Sequence, residues 1–210
     1  MRRPDAWARS ISLIDYFDPV MVNRQRLIWT VATRRQLERW EPYVAAAVLE
    51  GRPGARALTP AEIWAAATEH HFALVAAHHL LTALELKPPS SVVPDPTIRV
   101  ELIEGRHLHE HWIENLEVFN TRPRRKQPGH PSGRAFAARN PRTSPFLWLR
   151  WSSTRGAQLL PNVSAPAVHD LLDAVEAAVL ASAPTLCAYV PPREPSPWLY
   201  ENGEWWPKPD

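Results

Sequence analysis

Proline decides where this chain can be helical. Its ring fixes φ and removes an N–H, so it is tolerated in the first turn of a helix and disruptive further in. The chain holds 23 prolines against 7 glycines, and at several points a proline stands just inside a capping residue. LTPAE offers Thr59 as N-cap, Pro60 at the first helical position and Glu62 to close a capping box. Ile63 to Leu86 then runs unbroken to Pro88 and Pro89. PDP repeats the logic with Asp95 and Pro96, opening a helix expected to last to about Phe119. Ser164 caps a further helix, Pro166 to Leu180, whose Val168, Leu171, Leu172, Val175 and Val179 form one apolar stripe.

Before these, Leu27, Ile28, Val31, Leu37, Trp40, Val44 and Val48 recur at roughly helical spacing, which predicts a first helix from about Arg24 to Glu50, stopped by GRPG. Residues 1 to 22 read as an irregular lead-in. FLWLRW, a turn at Ser152 to Gly156 and AQLLP predict two short strands. After Ala183 the prolines at 184, 191, 192, 195, 197, 207 and 209 predict an extended, irregular tail carrying Trp198, Trp205 and Trp206. The expected fold is mainly α. It is an antiparallel bundle of about four long helices, with a small β-hairpin (146–163) before the last helix. Residues 1–182 form the bundle domain and 183–210 an irregular Pro/Trp-rich tail.

Composition narrows the function. A net charge of +2 confines any electrostatic role to local patches. A single cysteine, Cys187, excludes an intramolecular disulfide and four-thiolate zinc sites within one chain. No apolar run is long enough to span a membrane, and MRRPDAWARSISLIDYF has no continuous signal-peptide core. A cytoplasmic protein without membrane contact is expected. No glycine-rich phosphate loop and no serine or cysteine nucleophile motif occurs.

Seven of the nine histidines lie in two helices: His70, His71, His78 and His79 in the second, and His107, His109 and His111 in EGRHLHEHW of the third. Setting Arg106 at zero and advancing about 100° per residue places Ile98, Leu102, Leu108, Trp112, Ile113, Leu116 and Phe119 in one sector from about 200° to 340°. That sector faces the core and takes His109 with it. Arg106, Glu110, Glu114, His107 and His111 fall on the opposite, wet face. An imidazole there can move a proton and an arginine can hold a phosphate through its substitution. On one helix Arg106 and His111 diverge by about 140°, so two copies about a two-fold axis are needed to converge them on one cleft. A homodimer is expected.

Arg106, the polar His107 behind it and His111 after four intervening residues resemble the R-x4-6-H motif of the HEPN superfamily. The resemblance implies an all-helical antiparallel bundle that dimerises with its motif helices together. It also implies metal-independent endoribonuclease activity of the toxin–antitoxin, abortive-infection or defence type. Arg106 would then stabilise the phosphate, His111 act as acid or base on the 2′-hydroxyl route, and His107 be the polar companion. RNA would be the substrate, an antitoxin protein a partner, and no metal or cofactor would be needed.

The segment 121–145 has seven basic residues and no acid, and Arg122, Arg124, Arg125 and Lys126 are the candidate RNA-backbone contacts. Two other readings use the same residues. Glu104, His107, His111 and Glu114 have the spacing of a carboxylate–histidine metal site, to which His71 and His78 would add; the helix-two histidines otherwise read as buried, hydrogen-bonded structure. Alternatively the basic loop folds back on the acidic side of helix three (Glu101, Glu104, Glu110, Glu114, Glu117), and the protein is a non-catalytic interaction module.

Overall fold

A computed structural model of the chain describes residues 18–50, 56–86, 90–110 and 149–208. The order of elements is α1 (Pro19–Leu49), α2 (Pro60–Glu85), α3 (Pro96–Glu110), β1 (Arg150–Ser152), β2 (Gly156–Leu160), β3 (Val163–Ser164), α4 (Ala165–Ser182), a 3-10 helix (Pro184–Tyr189), β4 (Trp198–Glu201) and β5 (Glu204–Pro207). The protein is mainly helical, as the proline pattern predicts.

The caps account for the helix starts. The Thr59 hydroxyl accepts from the Glu62 N–H at 3.3 Å while the Glu62 carboxylate accepts from the Thr59 N–H at 2.8 Å, a reciprocal capping box. Asp95 accepts from the Thr97 N–H at 2.7 Å and the Ile98 N–H at 3.3 Å, bonds that favour its ionised form and lower its pKa. Ser164 caps α4. The first helix begins earlier than its apolar spacing indicates. Asp18 accepts from the Val20 N–H at 2.9 Å with Pro19 at the first position, so residues 19–22 are helix and not lead-in. The same cap-then-proline pair opens α1, α2 and α3.

Helices α1 and α2 form the main pair, and Ala66, Ala73, Ala76, Ala77 and Ala83 on the buried side of α2 let the two approach closely. Burial in α2 is one-sided: Trp64 is 73% and Phe72 50% exposed, whereas its sequence reads as apolar nearly all round. The guanidinium of Arg26, buried on α1, donates to the carbonyls of Ala83 (3.1 Å) and Leu86 (2.9 Å) and so satisfies the last turn of α2. Arg34, also buried, bridges from α1 to Asp173 (2.9 Å) and Glu176 on α4, and Arg193 meets the same two carboxylates from the far side.

Three antiparallel strands lie in the order β1-β2-β3, with Trp151 opposite Ala157 and Leu160 opposite Val163. The two-stranded hairpin expected from the sequence gains a third, two-residue strand that leads directly into α4. All five residues of β2 are buried. The tail corrects the sequence reading. It holds a 3-10 turn and a β4-β5 hairpin closed by Asn202 (φ 53°) and Gly203 (φ 83°), the two left-handed residues a tight hairpin turn requires. That hairpin docks on the body: the Trp205 N–H donates to the Ser153 carbonyl at 2.6 Å, Trp198 joins the core, and the Trp206 ring lies 5.5 Å from that of Trp151. The prolines at 184, 197 and 207 sit at element ends, where a missing N–H costs no ladder bond.

The pairing of β2 with β3 is irregular between Gln158 and Leu160, which takes Leu159 out of the ladder. The Leu159 carbonyl accepts instead from Nε2 of His70, 2.7 Å away on α2. Burial lowers the His70 pKa from 6.5 to about 4, outweighing the opposing pull of that hydrogen bond. The unfolded chain therefore binds the proton first as pH falls. This contribution to stability is complete above pH 6.5 and is lost as pH drops from 6.5 towards 4, at up to about 1.4 kcal/mol per pH unit. Urea unfolding of His70→Gln, which keeps a donor but cannot titrate, is expected to show a shallower fall across that window; an unchanged slope would place the titration elsewhere.

Candidate functional site

Of the residues assigned to chemistry by sequence, Arg106 and His107 lie on α3. His111, Arg122, Arg124, Arg125 and Lys126 are outside the described residues. The described part of α3 shows how the motif helix is seated. Leu102 and Gly105 are buried, Ile98 is half-buried against the core, and these three fall within the sector drawn for the core face. Glu101, counted among the acids open to the basic loop, is buried instead, with the Asn162 side-chain amide 3.4 Å from its carboxylate. The reason is positional: at about 220° on the same wheel it belongs to the inward sector. Arg106 is half-buried at the edge of the packed side, not free on a wet face, and it is engaged within the protein.

Gly105 explains the closeness of that seat. A Cβ built on it would lie 2.7 Å from both terminal methyls of Leu160 on β2, so the helix backbone rests directly on a buried leucine. The glycine just before Arg106 is thus a packing requirement and sets the height at which Arg106 leaves the helix.

The second-helix histidines separate by environment. His70 is buried and hydrogen-bonded, as expected for that group. His79 stacks on Trp29 of α1 with centroids 4.4 Å apart, and His78 meets His79 edge-on at 5.9 Å. Among the described residues no three His, Cys, Asp or Glu side chains gather to hold a metal ion, and no helix is long and apolar enough to cross a membrane.

A second place with binding character was not singled out by the sequence. A groove of about 620 Å³ runs along the outer side of α1, lined by Arg24, Leu27, Ile28, Val31, Arg35 and Arg39, with Leu186 and Tyr189 of the 3-10 turn as its other wall. The Arg24 guanidinium sits 5.8 Å from the Tyr189 ring centre, within cation–π range. The volume is that of an ordinary ligand site. Its only sequence signal was the stripe Arg24, Ile28, Val31, Arg35, Arg39 at spacings of three and four.

No family model, no curated protein and no solved structure matches this chain. The site has to be read from its own chemistry.

The Gly105 contact makes a specific demand. Alanine raises intrinsic helix propensity by about 1 kcal/mol, yet Gly105→Ala is expected to destabilise the protein, by about 1–3 kcal/mol, because Leu160 has little room to yield. In a Leu160→Ala background the same change is expected to cost nothing or to stabilise. Additive effects in a denaturation double-mutant cycle would show that the two residues do not touch.

Proposed function

We propose that this chain is a HEPN-like helical protein that acts on RNA as a homodimer, cutting it without a metal ion. Arg106 holds the scissile phosphate, His111 moves the proton to or from the 2′-hydroxyl route, and His107 is their polar companion. Arg122, Arg124, Arg125 and Lys126 track the RNA backbone, and an antitoxin protein is the expected cellular partner. One observation carries the reading: the helix bearing Arg106 starts at a proline cap and is pinned at Gly105 against Leu160. Its arginine emerges at a fixed point beside the packed face, and catalytic geometry needs that rigidity.

The chemistry follows from the residue types. Substitution at phosphorus builds negative charge on the non-bridging oxygens, which a planar guanidinium meets through two parallel N–H donors. An imidazole titrates near neutral pH and serves either direction of proton transfer. A two-fold axis supplies the convergence that one helix cannot, so monomeric protein is expected to be inactive.

A second reading, a non-catalytic interaction module of the same fold, is favoured by the engagement of Arg106 within the protein. An arginine already tied to its own chain is less available to a phosphate. The two readings part on one measurement, degradation of RNA by purified protein in the presence of chelator. With wild-type protein cleavage is expected. His111→Ala is expected to lower its rate by at least about 100-fold while leaving thermal melting where it was, and Arg106→Lys, which keeps charge but loses the planar fork, to lower it as well. Intact RNA with the wild-type dimer assigns the chain to the interaction module.

A further inference from the structure

The groove on α1 is independent of the Arg106 motif, and its chemistry differs from that of a phosphate track. The floor is aliphatic: Leu27, Ile28 and Val31 from the helix and Leu186 from the 3-10 turn. The charges stand at its two ends, Arg24 beside Tyr189 at one and Arg35 with Arg39 at the other. Arg24 and Arg35 are eleven residues apart on one helix, about 16 Å along its axis. Among the described residues that line it there is no carboxylate.

Arg35 and Arg39 are exposed and form no hydrogen bond or ion pair among the described residues. Two acids stand close by. Glu38 and Glu194 share the adjoining cleft with Arg35, Arg39, Pro191 and Pro192 but form no ion pair with either arginine among the described residues; Glu38 accepts instead from the Glu194 backbone N–H, and burial raises its pKa. The other two arginines of α1, Arg26 and Arg34, are spent on carbonyls and carboxylates of the fold. Ile28 is 47% exposed in the middle of this surface, an apolar side chain between two arginine poles.

We propose that this groove docks an acidic amphipathic helix of a partner protein, its aliphatic face on Leu27, Ile28, Val31 and Leu186 and its carboxylates at both ends on Arg24 and on Arg35 with Arg39. Charge complementarity selects this occupant. A small anion satisfies one pole and leaves the other bare. A single RNA strand needs stacking surfaces along its track, and this floor is aliphatic with one aromatic ring at its edge. Three turns of helix cover about 16 Å and present apolar anchors at spacings of three, four and seven with acids beyond them, the known pattern of helix-in-groove recognition.

The test is fluorescence anisotropy with the full chain and a labelled synthetic helical peptide of about 15 residues, glutamates in its first and last turns and leucine and isoleucine between. The peptide is expected to bind saturably. Replacing its glutamates by glutamines, or making the double variant Arg35→Glu with Arg39→Glu, is expected to weaken binding at least about tenfold. A lysine-ended peptide is expected to prefer the double variant over wild type. Both altered arginines are exposed, so thermal melts verify that the variant is folded; should it not be, Ile28→Glu is the replacement, with the same expected loss. Absence of saturable binding to wild type, or binding indifferent to these changes, overturns the proposal. Displacement of the peptide by a single-stranded oligouridine that depends on the same arginines overturns it in favour of nucleic acid. Self-association of wild type that Ile28→Glu abolishes overturns it in favour of a second copy. Because His111 takes no part, His111→Ala is expected to bind the peptide as wild type does, so the outcome is separable from the fate of the nuclease reading.

Discussion

A strand buried along its whole length has to have every backbone polar group answered from within the protein, and β2 sets that requirement here. Its two neighbours, β1 and β3, meet most of it. Where the ladder with β3 slips, His70 on α2 supplies the donor for Leu159. One residue further, α3 comes down on Leu160 at a glycine, because any larger side chain would occupy the space of the leucine methyls. At the first residue of the strand, Gly156 (φ 74°) lies against Pro166 of α4 and Trp205 of the tail hairpin. Helices two, three and four and the C-terminal hairpin are thus positioned by five consecutive residues. The first helix meets β2 directly and is held further through α2 and through the Arg34 bridge to α4.

What the sequence made legible was the punctuation. Capping residues followed by proline placed the starts of α2 and α3 to the residue, and the stripe of α4 is buried at Val168, Leu171, Leu172, Val175 and Val179 as its spacing predicts. Two features were equally local and were missed because a louder signal overrode them. Asp18-Pro19 repeats the cap-and-proline pair, but attention to apolar periodicity set the first helix at Arg24. Asn202-Gly203 is the strongest short hairpin signal in the chain, yet the prolines around it, which forbid helix, predict an extended tail. Those prolines forbid helix; at strand ends they are harmless, and Pro207 closes the ladder opposite Trp198.

Other features were not local and had no readable form in one dimension. Glu101 is inward on the wheel, and one of the groups beside its carboxylate is Asn162, sixty-one positions away. Nothing near His70 announces that a bulge in a distant strand needs its proton. The α1 groove is the clearest case. Half of it is a stripe visible in the sequence, and it becomes a groove only when Leu186 and Tyr189 arrive as a second wall from the other end of the chain.

The arginines of α1 then show why composition misleads about function in a chain where only Lys87, Lys126 and Lys208 are lysine among 24 basic residues. Arg26 ends a helix and Arg34 neutralises two carboxylates; both are buried, and removing Arg26 would take the guanidinium donor from the Ala83 and Leu86 carbonyls, whereas Asp173 and Glu176 would keep Arg193. These are structural cations whose charge is consumed by the fold. Arg24, Arg35 and Arg39 point to the other side of the same helix and keep theirs. A guanidinium exposed beside an apolar floor does little for folding, since a lone surface charge contributes almost nothing to stability. Its field is nevertheless strongest there, where aliphatic side chains exclude water and lower the local dielectric. Counting arginines therefore separates nothing; asking which of them already has a carboxylate or a carbonyl does. By that criterion the recognition chemistry of the described residues lies on α1 as much as on the motif helix.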